Sequence, residues 1–150
     1  MTGLDDPEVR REIRVALRVA GGAPGQTYGL EVRTSGDESA HAEFRAAAPR
    51  PREARAQRSR MPSDEFTELL RRIVDSNVLD TPPAPPRFLP DTLVGSFEVA
   101  RGGSVYQAYF AADPEQARTQ NAVPGPELQK ALDAVYAVGA RLLGQRSIRP

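Results

Sequence analysis

The chain has no cysteine and no tryptophan, one histidine, one lysine and no long apolar run. Without cysteine it has no disulfides, no thiol nucleophile and no thiolate metal site. The single histidine, His41, leaves no imidazole cluster for a metal. No stretch reaches the length of a membrane span, and the opening Met1-Thr2-Gly3-Leu4-Asp5-Asp6-Pro7-Glu8 lacks the apolar core of a signal peptide, so a cytoplasmic setting and no membrane partner are expected. The formal net charge is zero, which argues against general nucleic-acid affinity. Nineteen arginines stand against the one lysine, a skew we read as compositional bias.

What is present is patterning. The 150 residues suit one domain, expected over 12–144, with a flexible start at 1–11 and a tail at 145–150. Ile13, Val15, Leu17 and Val19 alternate with Arg14, Ala16 and Arg18, the period of a strand with one dry face. Tyr28, Leu30 and Val32 repeat the pattern, and Ala42, Phe44 and Ala46 repeat it more weakly. Short turn-rich connections make these three an antiparallel meander.

Residues 47 to 60 carry Arg50, Arg52, Arg55, Arg58 and Arg60 among Pro49 and Pro51, with almost no apolar content, and read as an exposed loop. Ser63 is placed to cap a helix bearing Phe66, Leu69, Leu70, Ile73 and Val74 on one stripe, with Asn77 near its end. Thr81-Pro82-Pro83-Ala84-Pro85-Pro86 excludes helix and central strand and predicts polyproline II.

The last third is read in most detail. Gly102-Gly103 suits a two-residue hairpin turn. Pairing Arg101 with Ser104 then sets Val99 against Tyr106, Phe97 against Ala108 and Gly95 against Phe110. The other face pairs Glu98 with Gln107 and Ser96 with Tyr109, so a one-residue slip would mix the faces. A helical turn is expected near residues 114 to 118. A final helix begins at Pro126, carrying Leu128, Ala131, Leu132, Val135, Val138, Gly139, Leu142 and Leu143. The expected fold is α+β: a five-stranded antiparallel sheet, two helices on one face, order βββ-α-ββ-α.

No catalytic constellation emerges, and no cofactor or metal is expected. His41 and Glu43 lie two residues apart on one strand face but cannot fill a coordination shell. Ser96 follows Gly95 mid-strand without the surroundings of a nucleophile elbow. Gly21-Gly22 and Gly102-Gly103 lack the lysine and hydroxyl of a phosphate loop. The arginine segment lacks interleaved aromatics for stacking bases. As partner-contacting residues we select Arg50, Arg52, Arg55, Arg58 and Arg60, together with Phe88 and Leu89, which either form an apolar contact or tuck beneath the helices.

One layout is familiar. An opening strand ends at Gly21-Gly22, and Ser63-Asp64-Glu65-Phe66-Thr67-Glu68-Leu69-Leu70 begins a helix. The Pro-rich link follows, then Asp91, the Phe97-Glu98-Val99 strand, Gly102-Gly103 and a closing Pro126-Glu127-Leu128 helix. This arrangement resembles the emfourin-like proteins, small bacterial inhibitors of thermolysin-like metalloproteases. The resemblance implies a non-enzymatic protein-binding module whose partner is a metalloprotease, and it carries over no inhibitory residue. The alternative is a small-ligand- or nucleotide-binding accessory subunit of a larger bacterial assembly, using the arginine segment. A third reading is an enzyme working with carboxylates and arginines alone. The oligomeric state is left open.

Overall fold

The computed structural model describes residues 13–21, 26–34, 40–47, 55–83 and 87–142. In chain order the strands are β1 (Ile13–Gly21), β2 (Gln26–Thr34), β3 (Ala40–Ala47), β4 (Arg55–Met61), β5 (Leu93–Arg101) and β6 (Ser104–Ala111). The helices are α1 (Ser63–Asp75), α2 (Pro114–Thr119) and α3 (Pro126–Leu142), with a 3-10 turn at Val78–Asp80. All six strands join one antiparallel sheet in the order β4-β3-β2-β1-β5-β6.

The class α+β with an antiparallel sheet holds, but the expected five strands and βββ-α-ββ-α order do not. The sixth strand is β4, within what reads as a loop from 47 to 60. It pairs with β3 from Ala46 opposite Arg55 to Ala40 opposite Met61. An outermost strand needs only one partner for its backbone, and charged side chains are tolerated there. Low apolar content therefore does not exclude it from a sheet. Its last residue, Met61, is fully buried and enters the core.

β1 lies centrally, with Val15 opposite Val32 of β2 and Val99 of β5, and Leu17 opposite Leu30 and Phe97. The expected hairpin register between β5 and β6 is observed at every pair. Gly102 holds φ at 53°, the positive value the first turn position requires. Phe97 and Tyr106 meet edge-on, with ring centroids 6.3 Å apart.

Ile13, Val15, Leu17, Phe97, Val99 and Phe110 share one core with residues from both long helices: Phe66, Leu69, Leu70 and Ile73 of α1, and Ala131, Leu132, Ala134, Val135 and Tyr136 of α3. Val74, assigned to the α1 stripe, is instead exposed. Ser63 is the first helical residue rather than its cap, and that position belongs to Pro62, whose carbonyl accepts from Phe66 N at 3.1 Å. Asn77 ends the helix region in left-handed conformation, at φ 61°. The Glu65 carboxylate meets Arg141 Nη1 at 2.5 Å and ties α1 to α3. α2 has a side-chain cap, Asp113 Oδ1 accepting from Glu115 N at 2.8 Å.

Candidate protein-binding site

β6 ends the sheet on one side and β4 on the other. Five strand spacings separate them, roughly 24 Å at about 4.8 Å per step. The candidate site residues therefore divide. Arg55, Arg58 and Arg60 lie on β4, in register with Ala46, Glu43 and His41 of β3. Phe88 and Leu89 lie towards the other edge, leading into β5. Arg50 and Arg52 fall outside the described residues. The structure does not bring Arg55, Arg58 and Arg60 together with the Phe88-Leu89 pair.

Phe88 belongs to a groove of about 470 Å³ beside β6. Its floor is Tyr106, Ala108 and Phe110, with Tyr109 at the rim. One wall is the extended strap through Thr81-Pro82-Pro83 and Arg87-Phe88, and the other is the chain from Gln120 to Gly125 with Leu128. Phe88 is half-buried, but Leu89 is 65% exposed, so the expectation that both tuck beneath the helices fails for Leu89.

Both walls are held by hydrogen bonds that the sequence does not advertise. Tyr106 Oη donates to the Thr81 carbonyl at 3.2 Å, and Thr81 Oγ1 donates to the Asn77 carbonyl at 2.9 Å. Together they fasten the strap to β6 and to the end of α1. Burial pushes the Tyr106 phenol above its ordinary pKa, so it stays a neutral donor well into alkaline solution.

Gln116 and Gln120 brace the other wall. Gln116 Oε1 accepts from Leu93 N at 2.9 Å while its Nε2 donates to the Asp91 carbonyl at 3.1 Å. Gln120 Nε2 donates to Thr92 Oγ1 at 2.9 Å, and its Oε1 accepts from Leu89 N at 3.3 Å. The two glutamines stand four residues apart, one helical turn, and clamp the chain entering β5. That spacing was the available signal. Asp91 and Asn121 take left-handed conformations, at φ 64° and 53°, where the walls turn.

The groove is polar and apolar in equal measure and carries little charge: among the described residues, Arg87 and Glu127 are its ionisable groups apart from the tyrosines. Val123 (62% exposed) and Tyr109 (40%) of its lining face water, as do Leu89 beside Phe88 and, elsewhere on β6, Val105 (60%). Such an arrangement can hold an apolar segment of a partner. A second concavity, between α1 and α3, is lined by Asp64, Glu65, Glu68, Arg72 and Arg141 and is crossed by the Glu65–Arg141 bridge. Exposed Glu68 is held below the usual carboxylate range by hydrogen bonds from Arg71 and Arg72.

Among the described residues no group of three or more histidines, carboxylates or cysteines is placed to hold a metal ion, and no helix is long and apolar enough to cross a membrane. His41 and Glu43 sit on β3 at the register positions of Arg60 and Arg58. No family model and no curated protein matches the chain.

Proposed function

We propose that the chain is a non-enzymatic protein-binding module that engages its partner through the groove beside β6. The observation that carries this reading is a braced groove with Val123 of its lining, and Leu89 next to its Phe88, exposed to solvent. Solvent-facing leucine and valine beside a groove are costly to leave wet, and burying them against a partner recovers that cost. The hydrogen bonds of Tyr106, Gln116 and Gln120 hold the groove open in advance, which lowers the ordering cost of binding. A cytoplasmic setting belongs to the same proposal.

The layout resemblance to emfourin-like inhibitors supports a thermolysin-like metalloprotease as the partner. Titrating the chain against such a protease tests this: turnover is expected to fall with added chain, and the double variant Leu89→Asp, Val123→Asp is expected to weaken the effect at least tenfold. Unchanged turnover at micromolar excess would remove the protease from the proposal. The accessory-subunit reading draws less support, since Arg55, Arg58 and Arg60 belong to a paired strand rather than a loop closing over a ligand.

A further inference from the structure

The two edges of the sheet are built differently. β4 carries three arginines in seven residues, a charge pattern that discourages another strand from adding to it. β6 reads Ser104-Val105-Tyr106-Gln107-Ala108-Tyr109-Phe110-Ala111, with no charge and no proline. Among the described residues it pairs only with β5. The hairpin closes on the pair Arg101–Ser104, and Ala112 N donates to the Leu93 carbonyl at 2.8 Å. The even-numbered residues of β6 therefore spend their backbone groups on β5. Val105, Gln107 and Tyr109 direct theirs outward, away from the sheet.

We propose that β6 pairs antiparallel with β6 of a second copy about a twofold axis at Gln107, joining two six-stranded sheets into one. In that register Gln107 meets Gln107, and Val105 of each copy faces Tyr109 of the other. Two exposed apolar residues thus cover each other twice in an aromatic–β-branched pair, a favourable cross-strand combination. Moving the axis to Tyr106 or Ala108 sets Val105 or Tyr109 against Gln107 and loses both apolar pairs. The same operation on β4 about Arg58 would set Arg58 against Arg58, like charges face to face.

Charge favours the β6 seam at its ends as well. The twofold carries the hairpin end of one copy, with Arg101, towards the strand end of the other, where Asp113 and Glu115 stand. About seven residues from each copy form the seam, less surface than the roughly 1,200 Å² of a stable interface. The expected association is accordingly reversible, with a dissociation constant on the order of 10–100 µM.

This inference goes beyond the groove reading, since it rests on the backbone edge and not on Leu89 or Val123, although Tyr109 belongs to both surfaces. Sedimentation equilibrium of the full chain, from micromolar to several hundred micromolar, should show a monomer–dimer equilibrium. Gln107→Pro removes an outward donor without touching the bonds to β5, and should weaken association at least tenfold with an unchanged circular dichroism spectrum. If that variant fails to fold, Val105→Lys supplies the same test through repulsion and desolvation. Because the chain has no cysteine, Gln107→Cys places one thiol at the axis, where hydrogen-bonded partners lie about 5.5 Å apart between Cα atoms, within disulfide reach. Mild oxidation should yield a disulfide dimer, whereas Gln57→Cys on β4 should not. A chain that stays monomeric throughout, or a dimer indifferent to Gln107→Pro and Val105→Lys, overturns the proposal. A monomer that still inhibits a protease sinks the seam alone, and a β6 dimer that inhibits nothing sinks the protease alone.

Discussion

Gly95 of β5 lies directly opposite Phe110 of β6, and the ring occupies the space a side chain at Gly95 would need. A Cβ there would stand 2.2 Å from Phe110 Cζ. Phe110 is itself buried in the core beneath the helices, so the ring cannot swing aside without leaving it. Glycine is required here by the size of its neighbour, not by its backbone angles.

Gly95→Ala is therefore expected to destabilise the fold by about 1–3 kcal/mol, the usual cost of overpacking a filled core. Urea denaturation checks it. Adding Phe110→Leu to the alanine variant should recover part of the loss, because the two positions share one space. Strictly additive costs would show that the contact is not the cause.

Tyr106→Phe removes the hydroxyl that fastens the Pro-rich strap to β6. Near neutral pH the expected cost is about 0.5–1.5 kcal/mol, that of one intramolecular hydrogen bond. The difference between wild type and variant should also depend on pH. Burial raises the phenol's pKa in the folded chain, so both states are protonated below the ordinary tyrosine value of about 10. There the wild-type contribution is fully present. As pH rises past that value the unfolded chain ionises first, and the contribution is lost through the folded pKa. Stability measured from pH 8 to about 11 should show the wild type falling towards Tyr106→Phe. A constant gap would contradict the assignment.

Glu98 is 8% exposed although it lies on the sheet face opposite the helices, and its Oε1 accepts from Arg14 Nη2 across the β1–β5 ladder. Arg14→Met would leave the carboxylate largely shielded from water without this cation. A loss of about 1–2 kcal/mol is expected, below the full cost of breaking a buried pair because the arginine side chain is partly solvated. Combining it with Glu98→Gln should cost less than the sum of the two. A double-mutant cycle with no coupling would count against the pair.

The β5–β6 hairpin was fully legible, because its signals are local: a Gly-Gly turn and a period of two leave only one register that keeps apolar residues together. β1, α1 and the start of α3 were legible for the same reason. β4 was not, since Arg55-Ala56-Gln57-Arg58-Ser59-Arg60 carries no apolar alternation and becomes a strand only because β3 offers it hydrogen bonds. The candidate site was half visible. Phe88 and Leu89 could be picked as apolar residues in an otherwise polar connection, whereas the roles of Gln116, Gln120 and Tyr106 depend on partners 23 to 31 residues away.

By itself, then, the amino-acid order determined the periodicities, the turns, which face of β1 and β5 would be dry, and the lack of cysteine chemistry, since these depend on residues within a few positions of one another. Only the tertiary structure decided that Arg55–Met61 closes one edge of the sheet, that β6 forms the other, and that Phe88 stands towards the edge away from Arg55, Arg58 and Arg60. Those outcomes depend on backbone pairing between strands distant in sequence, for which side-chain pattern carries little signal.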